Sequence, residues 1–387
     1  MLRETFERYW AAGEASAIDR FKFMKLAWDY LGSEFARCRG GLPMHLCQIG
    51  TKSLTVGLFC RSLPIRHFQL GWSPAMKKLT LETTAPFQGL PELVAYDEGL
   101  FEREGLQIGW ADRNKGNKFD PVATNILSPK GLNPFLSHGK MLEDGQADMY
   151  NACEWGNYCR VEETAKASRQ VGRRAILTYG AIAVGPKSSV YTPQQLADVT
   201  VAVPFYFGTH YLALQLLEGF LPRHMIKVCS APPPSYSRLK AILSGEVEAA
   251  TLTEPHISLA EKLGCRIICS AFYHGTEVAS ERVDGETYAA FNRAVREAVR
   301  RINANKAAYM HYFIDYHVQK GETDVALLKV ADLREGRLVV ADPAPIPVEE
   351  LQRTAEWLKS WGMLEKTEWP AALVDDGVQG YAHIAAE

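Results

Sequence analysis

The sequence predicts an α/β protein with mostly parallel sheets and a short helical extension at its N-terminus. KLTLETT, which begins at Lys78, alternates apolar and polar residues as a strand does. GLPELVAYDEGLFEREG follows with helical spacing, and LQIGWAD returns to a strand pattern. Gly105 stands where a C-cap glycine ends a helix. Strands that alternate with helices favour parallel pairing.

The same alternation continues to the C-terminus. HGKMLEDGQADMYNACEWG predicts a helix, a glycine turn and a strand, and RRAILTYGAIAVGPKSS predicts further strands. VTVAVPF then leads into the helix of YFGTHYLALQLLEGF, and SRLKAILSGEVEAATLTEP predicts helix, turn and strand. CRIICSAF predicts another strand, and helices are expected over 286–317 and 347–361.

Composition limits the classes of partner. The chain has 387 residues, of which 47% are hydrophobic and 23% charged, enough for two or three domains. Its formal charge of -2 supplies no basic field, so no nucleic-acid partner is expected. No apolar run approaches the roughly 18 residues of a membrane span. We therefore expect no transmembrane segment.

Cysteine use and the N-terminus bear on location. The eight cysteines are scattered, as expected of free thiols in a reducing compartment. The first 20 residues contain acidic groups and no apolar core of a signal peptide. As written, the sequence predicts a cytoplasmic protein, or a periplasmic one if the true N-terminus differs.

Residues 1–75 differ from the rest of the chain. A helix is predicted over the first 36 residues, but no Asp or Glu occurs between Glu34 and Glu82, and Gly and Pro interrupt every periodicity. ERYWAAGEASAIDRFKFMKLAWDYLGSEFA, residues 7–36, resembles the C-terminal helices of 4-hydroxyphenylacetate 3-hydroxylase-type flavin monooxygenases. We interpret 1–75 as an appended gene tail and irregular linker, with the functional unit starting at Met76. The alternative is a helical cap on the main domain.

Four segments in order resemble one fold family. They are PFQGLPELVAYDEGLFEREGLQI, MLEDGQADM, LADVTVAVPFYFGTHYLALQLLEGF and LKAILSGEVEAATLTEP. This order is similar to type 2 periplasmic-binding-protein-like proteins: the NMT1/Thi5-like family and the nitrate, sulfonate and taurine substrate-binding proteins of ABC transporters. The resemblance implies a two-lobed fold, with lobe one at 76–185 and 280–387 and lobe two at 186–279. It also implies a ligand cleft between the lobes that closes by hinge motion.

Candidate ligand-binding residues follow the predicted strands. In lobe one, two loops offer hydroxyl, amide, carboxylate and aromatic groups near strand ends, where open α/β sheets bind ligands. These candidates are Thr83, Thr84, Phe87, Asn151, Glu154 and Trp155.

In lobe two, Gly208 and Thr209 open a helix, where backbone N–H groups and the helix dipole attract anions. The resemblance places ligand contacts in two loops of this lobe. The candidates are Tyr206, Gly208, Thr209, His210, Glu254 and His256. His210 and Glu254 are the candidates for acid–base catalysis.

Neither a metal nor a cofactor is predicted. Cys153 and Cys159 have no histidine at metal-ligand spacing, and no GxGxxG, Walker A, HExxH or GxSxG motif occurs. The cysteine cluster of pyrimidine-precursor synthases is missing, as is a cysteine in TTAPFQG, where aromatic sulfinate desulfinases place their nucleophile. GRR, which ends at Arg174, is interpreted as a solvated surface.

Two functions remain open at this point. The first is binding of a small anionic or aromatic solute, with an ABC importer permease as partner. The second is a cytoplasmic enzyme on the same fold, a decarboxylase, hydrolase or lyase acting on a small aromatic or heterocyclic compound. Because one fold hosts many functions, the fold does not decide between them.

Overall fold

The structure is a computed structural model that describes residues 76–112, 139–163, 169–364 and 374–384. The predicted extension over 1–75, with its hydroxylase-like segment, lies outside the described residues, and its boundary at Met76 stays a prediction. None of the helices in these stretches has the length and apolarity that a bilayer crossing requires.

Eleven strands are found in the described residues. They are β1 (Lys77–Glu82), β2 (Leu106–Ala111), β3 (Met149–Cys153), β4 (Arg169–Arg173), β5 (Ile176–Val184), β6 (Thr200–Val203), β7 (Lys227–Ser230), β8 (Ala249–Thr253), β9 (Arg266–Tyr273), β10 (Gly275–Ala279) and β11 (Val339–Val340). They form two sheets. The first has the order β2-β1-β3-β10-β4, and the second has the order β11-β5-β8-β6-β7, with β9 also paired to β5.

Helices connect and cover the strands. They are α1 (Pro86–Asp97), α2 (Leu100–Arg103), α3 (Lys140–Glu143), α4 (Glu154–Glu163), α5 (Gly208–Glu218), α6 (Ser235–Ser244), α7 (His256–Lys262), α8 (Gly285–Ala304), α9 (His311–Gln319), α10 (Val348–Ser360) and α11 (Asp376–Ile384). The predicted α/β class with two sheets is confirmed.

The sheets are mixed, whereas mostly parallel pairing was expected. β1 pairs in parallel with β2 and β3, and β6 pairs in parallel with β7 and β8. β10 is antiparallel to β3 and β4, and β5 is antiparallel to β8, β9 and β11. The difference arises where the chain passes between the sheets. The tracts β4–β5 and β9–β10, joined by two residues and by one, run side by side in opposite directions, because β10 pairs with β4 and β9 pairs with β5.

These crossings put β5 in the second sheet and β10 in the first. The lobe boundaries predicted at 185/186 and 279/280 stay a prediction. One crossing carries Arg174, whose Nη1 donates to the carbonyl of Ala152 in β3. The other carries His274 and leads into Gly275, which pairs with Cys153 at the end of β3.

Local signals in the sequence match several helix ends. Gly105 has φ +77 after α2, as expected of a C-cap glycine, and Gly99 has φ +65 between α1 and α2. The predicted helix over 286–317 is two helices, because the chain breaks at Asn305, whose side chain accepts a hydrogen bond from the N–H of Ala308. α8 begins at an Asp284 N-cap that accepts from the N–H of Thr287 at 2.8 Å.

The apolar core packs the helices onto the sheets and so fixes the strand ends. Beside the first sheet, the Phe101 ring of α2 stacks on the Phe291 ring of α8, with the ring centroids 5.4 Å apart. Leu79 and Leu81 of β1 are buried in the same core. β1 and the helices α2 and α8 therefore share one core.

Candidate functional site

Thr84 and Asn151, two of the predicted ligand contacts, meet at the first sheet. Nδ2 of Asn151 donates to Oγ1 of Thr84 at 3.0 Å. Gly89 allows this approach, because a Cβ there would lie 2.3 Å from Cγ2 of Thr84 and 3.0 Å from Nδ2 of Asn151. Thr83 is half-buried beside this pair, and its N–H bonds the carbonyl of Ala111.

Phe87 joins the two sheets through its backbone. Its carbonyl accepts a hydrogen bond from Oγ1 of Thr178 on β5 at 3.0 Å, and its half-buried ring packs on the core of the first sheet. The Phe87 ring therefore packs on the core, and its predicted ligand contact stays a prediction.

Arg174 is buried at the crossing, and the interpretation of GRR as a solvated surface is wrong for it. Its Nε donates to the carbonyl of Ile176 at 3.2 Å, and Nη2 donates to Oγ1 of Thr178. A Cβ on Gly275 would lie 2.1 Å from Cζ of Arg174, so only glycine leaves room for the guanidinium. The sequence offered no signal for this, because the burial depends on a strand about 100 residues away.

Two buried carboxyl groups lie within the electrostatic reach of Arg174. Burial raises the pKa of Glu92 and of Glu277, and Arg174 opposes both rises. The nearby charge of Glu92 raises the pKa of Glu277 further. Both residues escaped the sequence analysis, since each is a single acidic residue within a helix or strand pattern.

An aromatic cluster spans the two sheets around Trp155. Trp155 follows β3 of the first sheet, and its ring centroid lies 5.3 Å from that of Tyr273 on β9 and 5.8 Å from that of Tyr211 on α5. Trp357 of α10 adds a ring at 6.5 Å. Trp155, a predicted ligand contact, thus has three aromatic neighbours that were not predicted from the sequence.

The loop between β6 and α5 reaches this cluster by close backbone contacts. Tyr206 adopts φ +65, which is uncommon for a residue with a side chain. A Cβ on Gly156 would lie 3.2 Å from the carbonyl oxygen of Tyr206, and one on Gly208 would lie 2.6 Å from the Tyr273 ring. The starts of α4 and α5, which follow strands of different sheets, are therefore in contact here. Thr209 is buried at the first turn of α5.

His210 is neutral at physiological pH. Burial lowers its pKa to about 4. Its Nδ1 accepts a hydrogen bond from the N–H of Tyr206 at 3.1 Å, which places the ring proton on Nε2. His210 can thus donate a hydrogen bond to a ligand, but a neutral ring with this pKa is a poor general acid near pH 7.

Glu154 opens α4 beside a basic partner. Burial raises its pKa to about 7, although Arg173 at 3.8 Å lowers it and Glu350 raises it. Arg173 also pairs with Glu350. A carboxyl group with this pKa is half protonated near pH 7. A bound ligand of either charge can shift that protonation.

Glu254 and His256 belong to a second group of contacts. Oε1 of Glu254 lies 3.0 Å from Nη1 of Arg337, and Oε2 accepts from the N–H of Ser258 at 3.2 Å. Burial raises the pKa of Glu254, and Arg337 opposes this. His256 contacts Glu322 at 2.7 Å. The ligand role predicted for both residues stays a prediction, and their side chains are engaged in these contacts.

Neither protein-family models nor curated proteins match this chain. Solved structures do, and they share its fold. The alkanesulfonate-binding protein SsuA from Xanthomonas axonopodis pv. citri, bound to MOPS, is 17% identical with a TM-score of 0.54, covering 76% of this chain and 95% of that chain. The periplasmic sulfonate-binding protein SsuA of a sulfonate ABC transporter from Methylobacillus flagellatus KT is 12% identical with a TM-score of 0.54, covering 81% and 95%.

The desulfurization enzyme DSZB is 13% identical with a TM-score of 0.50, covering 80% of this chain and 99% of that chain. These likenesses confirm the two-lobed periplasmic-binding-protein-like fold. The predicted hydroxylase resemblance of residues 7–36 finds no support among the comparisons.

Proposed function

We propose that this periplasmic-binding-protein-like chain binds a small anionic organic solute between its two sheets, as the substrate-binding protein of an ABC importer. The observation that carries the proposal is the contact between the starts of α4 and α5, where Gly156 meets Tyr206. Strand ends of two sheets joined by short crossings form the place where this fold closes on a ligand.

The groups at this contact suit an anion with an apolar body. Gly208 and Thr209 open α5, where N–H groups and the helix dipole favour negative charge. Nε2–H of the neutral His210 ring adds a donor. The rings of Trp155 and Tyr273, buried against each other, form the aromatic wall behind this contact. Both SsuA proteins are named as sulfonate-binding proteins. A sulfonate is an anion with an organic body, and an organic carboxylate has the same two parts.

An importer role requires a permease partner and a position outside the cytoplasm. The SsuA protein of Methylobacillus flagellatus is named as periplasmic, which favours the periplasmic alternative over the cytoplasmic location expected from the sequence. Fractionation of cells that produce the full chain tests this: recovery in the periplasmic fraction supports the importer role, and strictly cytoplasmic recovery contradicts it.

The enzyme alternative has one observation in its favour. Glu154, with a pKa near 7, can give and take a proton at neutral pH, and such groups concentrate at functional sites. DSZB shows that the fold also hosts an enzyme. Incubation of the chain with aromatic sulfinates and carboxylates separates the two functions, since a binding protein returns its ligand unchanged.

Calorimetric titration with alkanesulfonates, taurine, aromatic sulfonates and carboxylates tests the binding itself. The Tyr206→Gly variant is the sharpest probe, because glycine accepts φ +65 while the 41% exposed ring is removed. We expect its affinity to fall about tenfold, the loss of one aromatic contact of roughly 1.4 kcal/mol. Tyr191→Ala is the matched control, because Tyr191 is 67% exposed in the segment between β5 and β6. Equal affinity in both variants would contradict the proposed site.

A further inference from the structure

Two histidines and a glutamate converge at His256, a predicted ligand contact that the site proposed at the start of α5 does not use. His256 begins α7, His317 lies near the end of α9, and Glu322 follows that helix. Oε2 of Glu322 lies 2.7 Å from Nε2 of His256 and 2.8 Å from Nδ1 of His317. One ligand atom from each of the three residues lies within 4.8 Å of the other two.

This cluster is buried and poorly satisfied by protein groups. The side chains of His256, His317 and Glu322 are 2%, 9% and 17% exposed. Nδ1 of His256 and Nε2 of His317 are buried and have no hydrogen-bond partner among the described residues. They are the ring nitrogens that do not face Glu322, so they can carry the ring protons when the facing nitrogens bind an ion. Among the described ion pairs, Glu322 meets only these two histidines.

The cluster carries the ligand types that a cation site needs. Two imidazole rings meet one carboxylate at Oε2 of Glu322, and among the described ion pairs no Lys or Arg pairs with that carboxylate. Neutral imidazole and carboxylate are the forms that bind metal ions.

We infer that His256, His317 and Glu322 bind one divalent transition-metal ion, with Zn²⁺ as the best-fitting probe. Zinc takes nitrogen and oxygen ligands at about 2.0–2.2 Å, which for tetrahedral geometry separates ligand atoms by about 3.3 Å. The two histidine nitrogens must each move about half an ångström from Oε2. Each ring proton then lies on the other nitrogen, and water completes the coordination. Two imidazoles and one carboxylate favour such an ion over Ca²⁺ or Mg²⁺.

The ion would tie together elements of both sheets. His256 follows β8 of the second sheet, whereas α9 is fastened to α1 of the first sheet by the hydrogen bond from Tyr312 to Asp97 at 2.7 Å. No metal site was predicted from the cysteine spacings. His256 and Glu322 are 66 residues apart in the sequence, so only the fold brings them together.

The experiment is a titration of the full, untagged chain with ZnCl₂ after dialysis against EDTA. Metal bound per chain is measured by elemental analysis, and CoCl₂ provides visible absorption bands that report nitrogen and oxygen ligands. We expect one ion per chain and a melting temperature raised by the metal. Glu322→Gln, which keeps the side-chain shape, should weaken zinc binding more than about 100-fold, beyond the typical effect of an outer-shell change.

His256→Ala should weaken binding similarly. His311→Ala is the matched control, because His311 is exposed on α9 beside the cluster. Circular dichroism confirms folding of each variant. Failure of the wild-type chain to retain zinc overturns the inference. Zinc binding that survives in folded Glu322→Gln places the ion elsewhere and overturns it equally, even where the alanine variant does not fold.

Discussion

The backbone N–H of Tyr206 donates to Nδ1 of His210 across 3.1 Å. This bond closes a turn in which Tyr206 has a left-handed backbone, and it fixes the tautomer of a buried histidine. The first turn of α5 therefore keeps a neutral donor, Nε2–H, independently of pH near neutrality. The contact selects the tautomer of His210, and burial keeps its ring neutral.

His210 makes folding stability depend on pH. Its pKa is about 4 in the folded chain and about 6.5 when unfolded, so the stabilisation is present above pH 6.5 and is lost as the pH falls toward 4. Between pH 7 and 5 the wild type should lose about 2 kcal/mol more than His210→Asn, whose Oδ1 replaces Nδ1 as acceptor. Urea unfolding at both pH values measures this. Exposed His311→Ala should behave as wild type, and parallel losses in wild type and His210→Asn would contradict the assignment.

Glu154 has the opposite pH dependence. Its folded pKa of about 7 exceeds the unfolded value of 4.5, so stability is full below pH 4.5 and is lost as the pH rises through 7. Glu154→Gln mimics the protonated form. From pH 5 to pH 8 it should gain roughly 2–3 kcal/mol relative to wild type in urea unfolding. Exposed Glu246→Gln serves as control. A difference that does not change with pH would show that Glu154 is ionised throughout.

Gly208→Ala tests the close packing of α5 on Tyr273. The new Cβ would lie 2.6 Å from the ring, so the ring or the helix start must shift. Overpacking of this kind costs about 1–3 kcal/mol, measured by thermal or urea unfolding, and solute affinity should fall with it. Gly336→Ala is the matched control, because a Cβ on Gly336 would meet no atom within 4 Å. Equal stability of the two variants would show that the contact is relaxed in solution.

Arg337 neutralises the buried Glu254. The Arg337 side chain is 9% exposed, and its Nη1 lies 3.0 Å from Oε1 of Glu254. Arg337→Met leaves that carboxylate buried without a cation and should cost about 3–5 kcal/mol in urea unfolding. Arg334→Ala, which breaks the ion pair between the 64% exposed Arg334 and Glu261, should cost no more than about 1 kcal/mol.

The double variant Arg337→Met, Glu254→Met separates structure from binding. It removes both charges and should recover much of the lost stability. If Glu254 contacts the solute, the recovered protein should still bind more weakly than wild type. Unchanged solute affinity in the double variant would assign Glu254 a structural role.

Local features of the fold were predictable from the sequence, and long-range ones were not. The helix at 348–360, the C-cap at Gly105 and the helix start at Gly208 follow from residues a few positions apart. The antiparallel crossings do not, because hydrophobic alternation in a strand carries no information on its partner. Arg174 was assigned to the surface for the same reason, since its burial requires Gly275 of β10.

The candidate site shows the same division. Thr84 with Asn151, and Tyr206 with His210, are pairs of predicted residues that the structure brings into contact. Tyr273 was not predicted, because it is one aromatic residue in an ordinary strand, and its place beside Trp155 depends on the crossing of β9.

The aromatic cluster around Trp155 makes the intrinsic fluorescence of the chain sensitive to the separation of its two sheets. Indole emission responds to the polarity and to the neighbours of the ring, and Trp155 touches Tyr211 and Tyr273, which belong to elements of the second sheet. Any separation of the sheets admits water to the indole and shifts its emission to longer wavelength. Opening and closing can thus be followed in the unlabelled protein by stopped-flow fluorescence, with Trp155→Phe identifying the signal.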